Sequence, residues 1–214
     1  MEYQLQEVLP AEIEKKSMEI IARELAGKPI DPENEPVIKR VIHTTADFDY
    51  AENLAFSPGV VQKAVEAVKG GACIVTDTQM AKAGVNKKVL ASFGGEVFCF
   101  MSDEDVAQAA RREGTTRAVQ SMEKACGIRR PLIFAIGNAP TALVKLCELI
   151  DEKRVEPKLV IGAPVGFVNV VESKELLLAH AEIPQIVARG RKGGSGVAAA
   201  ICNAILYAAS GRIL

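Results

Sequence analysis

Groups that exchange protons near neutral pH are scarce in this chain: its 214 residues include two histidines, and there is no tryptophan. So few histidines, with five cysteines that never fall in C-x-x-C spacing, leave a structural zinc site no ligand set to draw on. The cysteines are odd in number and several sit inside apolar runs such as "EVFCF". They suit reduced, buried thiols of a cytoplasmic protein and not a disulfide framework. Nor is one sign of charge in excess. With 26 basic against 27 acidic residues the formal net charge is -1, so no global basic field exists for nucleic acid or an anionic membrane. A polyanionic ligand must instead meet a local basic cluster. No apolar stretch is long enough to span a bilayer. The opening "MEYQLQEVLPAEIEKKS" is acidic and amphipathic, which is not the pattern of a secretory leader.

What the chain does have is apolar content of 49%, enough for one compact domain over residues 1–214. Short apolar runs bounded by turn residues recur at "ACIVTD" (72–77), "EVFCFM" (96–101), "PLIFAIG" (131–137), "PKLVIGAP" (157–164) and "PQIVARG" (184–190). Helical patterning fills the intervals, as in "VAQAARREGTTRAVQSMEKAC", "PTALVKLCELIDEK" and "FVNVVESKELLLAHA". Near-continuous apolar strands alternating with helices predict a three-layer α/β fold. Its mostly parallel five-stranded sheet carries helices on both faces. Three helices are expected ahead of the sheet, over about 10–26, 35–48 and 57–69, with Pro36 in the first turn of the second.

Ligands in such sheets collect beyond the carboxyl ends of the strands. The last of those ends reads "RGRKGGSGVAAAICNAIL". Arg189, Arg191 and Lys192 supply charge, Gly193, Gly194 and Gly196 let backbone approach a ligand, and Ser195 can cap the helix that follows. An anion-binding loop is the favoured reading over a turn with solvated charges. The order of Lys192 and the glycine pair does not fit the Walker pattern, and "GSGVAA" lacks the strand-helix-strand completion and ribose-binding acid of a dinucleotide site. In "GNAPTAL" Asn138 or Thr141 can cap a helix, and in "GAPVGF" Gly162 and Gly166 can admit a ligand; ordinary turn chemistry accounts for either loop equally well. Arg117, early in a helical run, reads alone as a solvated surface group.

The stretch "RVIHTTADFDY" (40–50) carries the first histidine. At about 100° per residue, Val37, Ile38, Val41 and Ile42 form one apolar stripe, and Arg40, His43 and Asp47 fall on the other side. His43 is therefore not patterned as a core histidine. Asp47, four residues on, is placed to hold the imidazole in its charged form, and Arg40 to offer a donor to a substrate carboxylate. A histidine of ordinary pKa, about 6.5, can give or take a proton at neutral pH. His180, in "LLLAHAEIP", has no comparable polar company in the sequence and reads as structural.

Taken together, "RVIHTTADFDY", "GNAPTAL", "GAPVGFVNVVESKE" and "RGRKGGSGVAAAICNA" resemble the precorrin-8X methylmutase family of corrin-ring biosynthesis, in the family's order and over most of the chain. The resemblance implies an isomerase that moves a ring methyl group from C-11 to C-12 of precorrin-8X or cobalt-precorrin-8, giving hydrogenobyrinate or cobyrinate. It implies that His43 gives or takes the assisting proton. It also implies that Ser17, Arg40, Thr44, Arg117, Asn138, Thr141, Arg191, Lys192, Gly193 and Gly194 hold a corrinoid substrate with several carboxylates. No metal site and no resident cofactor are expected, cobalt arriving only inside the substrate. The family likeness further implies a homodimer with a shared active site, and "VGFVNVVESKE" leans toward the cobalt-containing branch. The competing expectations are a tetrapyrrole carrier without turnover and a nucleotide-dependent enzyme built on the last glycine-rich loop.

Overall fold

The computed structural model describes residues 9–212. After a 3-10 turn at Pro10–Glu12 come α1 (Ile13–Leu25), α2 (Glu35–Thr45), α3 (Tyr50–Asn53), β1 (Leu54–Phe56), α4 (Val60–Lys69) and β2 (Cys73–Thr76). Two short helices, α5 (Gln79–Gly84) and α6 (Lys87–Ser92), lead to β3 (Val97–Phe98), α7 (Glu104–Glu113) and α8 (Arg117–Ala125). The second half alternates regularly: β4 (Leu132–Ile136), α9 (Pro140–Asp151), β5 (Leu159–Gly162), α10 (Val170–Ala179), β6 (Gln185–Ala188) and α11 (Ser195–Ala209).

The sheet order is β1-β6-β5-β4-β2-β3, parallel except where β1 runs antiparallel to β6. Alternate residues of each central strand feed opposite cores, as the two-residue side-chain period requires. On β4, Ile133 and Ala135 join the core under α2, α4 and α11, whereas Leu132, Phe134 and Ile136 join the core under α8, α9 and α10. Both faces are covered, which is why these strands read as unbroken apolar runs. α11 is buried on nearly every side, from Val197 through Leu206, and its sequence is apolar all round for that reason.

Three expectations need correction. The sheet has six strands, not five; the missed strand is "LAF" at 54–56, three residues too short to show a period. The helical run at 106–126 is two helices, because Gly114 takes a left-handed conformation (φ 63°) and the Thr116 side chain caps α8 through the Val119 N–H. The helix expected to reach residue 48 stops at Thr45, where Ala46 turns left-handed (φ 53°).

Candidate active site

Moving outward from the sheet centre, the strand order reverses between β2 and β4, since β2 leads outward to β3 and β4 leads the other way to β5 and β6. That is where an open α/β sheet has its crevice. Here the protein fills it with its own anion. The buried Asp77 carboxylate accepts from the N–H groups of Gly137 (2.8 Å), Asn138 (2.8 Å) and Ala139 (2.7 Å) at the start of α9. Burial pushes the Asp77 carboxyl above its usual range while the three N–H donors pull it back. A phosphate at this crevice would compete for these donors with a built-in carboxylate. Neither Asn138 nor Thr141 caps α9, whose N-cap residue is Ala139 with no side-chain cap bond.

Next to this crevice the last loop and the end of α2 come together. Arg189 donates its N–H to the Asn53 carbonyl (2.8 Å). Lys192 donates to both Asp47 (2.6 Å) and Asp49 (2.6 Å), and a Cβ added at Gly196 would lie 3.9 Å from the Thr44 methyl. Ser195, expected as a cap, is instead the first residue of α11, and its Oγ hydrogen-bonds Thr78 Oγ1 at 2.7 Å. Gly193 is required for packing of backbone on backbone: a Cβ there would strike the carbonyl oxygens of Ala163 and Pro164. Gly162 faces inward to the Leu177 side chain and lies in the core, not on a ligand surface.

His43 sits in the last turn of α2, half-buried, and makes no hydrogen bond within the described residues. The expected Asp47 pairing is not formed. Since α2 ends before Asp47, that carboxylate leaves the helix face and goes to Lys192, whose ammonium holds its carboxyl below the usual range. Arg40 also departs from expectation. It is 8% exposed, pairs with Glu14 of α1 at 2.7 Å and lies over the Tyr207 ring at 5.1 Å. Glu14 also receives Arg212 at 2.6 Å. The Arg40 hydrogen bond holds the Glu14 carboxyl below its usual range, with smaller contributions from the Arg212 and His43 charges. Glu14, which sequence reading missed, thus sits within electrostatic reach of the histidine. Ser17 lies one turn further along α1, half-buried.

The other expected residues form a second group on the same edge of the sheet. Arg117 is exposed at the first position of α8, and its neighbour Thr116 meets Thr141 Oγ1 at 3.2 Å. Asn138 is exposed beside them at the head of α9. Arg191 lies 5.7 Å from the centre of the Phe167 ring, which is 85% exposed, and Met80 and Val168 stand out similarly at 73% and 77%. Cationic and glycine-rich segments therefore alternate with uncovered apolar side chains along one edge.

Fold and site together define a doubly wound α/β protein in which the carboxyl edge of the sheet is basic at its rim and carries a histidine with no hydrogen-bond partner among the described residues. The precorrin-8X methylmutase family pattern matches residues 12–208. The cobalt-precorrin-8 methylmutase of Priestia megaterium is 47% identical over 198 residues, covering 92% of this chain and 88% of that one. That of Salmonella typhimurium is 48% identical over 177 residues, 82% of each chain. A solved precorrin-8X methyl mutase from Thermus thermophilus superposes with a TM-score of 0.86 at 39% identity, over 95% of this chain and 98% of that one. The chain belongs to the precorrin-8X methylmutase family, isomerases of cobalamin biosynthesis.

Proposed function

We propose that this protein converts cobalt-precorrin-8 to cobyrinate by moving the ring methyl from C-11 to C-12, with His43 lending the proton. The cobalt form is favoured because the Priestia and Salmonella relatives carry that name at 47% and 48% identity. The observation that carries the site assignment is the junction of α2 with the last loop. It brings the helix end that carries His43, which has no hydrogen-bond partner among the described residues, against the Lys192 ammonium and the backbone of the last loop, groups suited to carboxylates.

The chemistry is balanced within the substrate. The C-11 to methyl bond breaks as the C-12 to methyl bond forms, and no atom is gained or lost. Protonating the conjugated ring draws electron density from the migration path, and the same imidazole takes the proton back afterwards. Arg191, Lys192, Gly193 and Gly194 on the last loop, Arg117, Asn138 and Thr141 across the crevice, and Ser17, Arg40 and Thr44 beside His43 hold the carboxylate rim. Arg40 exchanges Glu14 for a substrate carboxylate. The protein needs no cofactor of its own, and cobalt belongs to the substrate. No helix among the described residues is long and apolar enough to cross a membrane; we place the enzyme in the cytoplasm. The uncovered Phe167 and Val168 support a homodimer that shares the site, with apolar surface left to meet the ring or the second copy.

The test is a visible absorbance titration with cobyrinic acid, followed by turnover of cobalt-precorrin-8. A saturating spectral shift near one ring per subunit, with turnover, is expected. Binding without turnover would turn the reading into a carrier, and no shift at micromolar ring would remove the corrinoid site.

A further inference from the structure

Lys174 of α10 is fully buried (0% exposed), yet none of the described residues offers it a carboxylate. Its ammonium donates to two backbone carbonyls of the last loop, Gly190 at 2.7 Å and Lys192 at 2.8 Å. In a planar trans peptide the N–H points opposite to the carbonyl, and this chain has no cis peptide among its described residues. Drawing the Gly190 and Lys192 carbonyls down toward α10 therefore turns the N–H groups of Arg191 and Gly193 up, away from the core. Neither N–H has a partner among the described residues, whereas the intervening Arg191 carbonyl accepts from Gly166 (3.2 Å) and the Gly194 N–H goes to Ala163 (2.8 Å). Each peptide from Gly190 to Gly194 is thus fastened on one side, and the Arg191 and Gly193 N–H groups are left open.

We propose that Lys174 is the positioning residue of this loop, its buried ammonium aiming the Arg191 and Gly193 N–H groups at a substrate carboxylate and supplying the unneutralised charge that the carboxylate completes. The proposal rests on the corrinoid reading above and deepens it. A buried cation without an anion is costly, and burial lowers the Lys174 pKa to about 8. Such a cost is sustained where a ligand brings the missing charge. Buried beneath the loop, Lys174 acts on binding and leaves the methyl shift to His43.

The experiment compares wild type with Lys174→Met and Lys174→Gln, reading KM and kcat on cobalt-precorrin-8, affinity for cobyrinic acid and thermal melting. Lys174→Met is expected to raise KM and the product dissociation constant about tenfold or more, with kcat within about threefold. Lys174→Gln, which keeps a donor but loses the charge, should fall between. A folded Lys174→Met with unchanged KM overturns the proposal. If neither variant folds, amide hydrogen exchange on the wild-type chain decides. Cobyrinic acid should protect the Arg191 and Gly193 amides, and unchanged exchange there overturns it. Wild type that neither binds nor turns over a corrinoid sinks the functional reading itself and the role of Lys174 with it.

Discussion

The two histidines occupy opposite edges of one sheet. At the amino edge His180 has both ring nitrogens engaged, Nδ1 with the Leu176 carbonyl at 2.9 Å and Nε2 with the Asp151 carboxylate at 3.0 Å. At the carboxyl edge His43 has no partner among the described residues, although Glu14, Arg40 and the Lys192–Asp47 pair surround its turn of helix. The difference separates an imidazole whose hydrogen-bonding capacity is used up by the fold from one whose capacity the described fold leaves unused. The carboxylates near His43 are all engaged by Arg or Lys, which keeps them from occupying the ring as Asp151 occupies His180.

The largest expected effect tests that contrast directly. His43→Ala should lower kcat by roughly a hundred- to ten-thousandfold while cobyrinic acid still binds, and His180→Ala should leave kcat unchanged; steady-state kinetics on both variants, with product titrations, check it. Full turnover by His43→Ala would remove the distinction between the two edges.

The second prediction concerns what keeps the carboxyl edge in place. Asp77→Asn replaces a charged acceptor by an amide in front of three N–H groups, and should cost about 3 kcal/mol of stability, read as a shifted urea midpoint. If the edge were held by packing alone, the midpoint would stay.

A smaller effect is expected at His180. The Leu176 carbonyl, and then Asp151, raise its pKa. The stabilisation is therefore fully present below the unfolded histidine value of about 6.5 and fades as pH rises through the raised folded value. Because Asp151 is 67% exposed, the contribution is about 1 kcal/mol or less. His180→Ala should flatten the stability profile across that window, as urea unfolding at a series of pH values would show.

The smallest effect sharpens the view of Arg40. Glu14→Gln weakens the internal competitor for the guanidinium, so cobyrinic acid should bind about two- to fivefold tighter. Weaker binding in the absorbance titration would mean that Glu14 supports the site instead of guarding it.

The sequence reached the parallel layers because strands buried on both faces leave long apolar runs, and it reached His43 because Val37, Ile38, Val41 and Ile42 define the opposite stripe. The roles around His43 were harder. Helical spacing puts Asp47 one turn from His43, yet the left-handed Ala46 ends the helix first. Helical spacing puts Arg40 off the apolar stripe and free to meet a substrate carboxylate, yet α1 brings Glu14 over that face and α11 brings Tyr207. The first outcome depends on one left-handed residue and the second on how separate helices dock, and no local period records either. His180 gained its carboxylate from α9 across a gap of 29 positions. Asp77 and Lys174 stood in quoted motifs, but their partners are backbone groups of distant loops, and a backbone group has no sequence signature.

The short antiparallel pairing of β1 with β6 places a limit on chain length. Leu54 stands opposite Ala188, and Asn53 takes the N–H of Arg189 one step beyond. Only the stretch from Ala46 to Asn53 separates that anchor from the end of the histidine's helix. A strand moves by about 3.4 Å per residue and turns its faces over at each step. An insertion or deletion between Thr45 and Leu54 must then displace either the histidine or the ladder, whereas the segment at 26–34, ahead of α2, can change length without moving either. Among descendants of a common ancestor, length variation should accumulate before α2 and be purged after it.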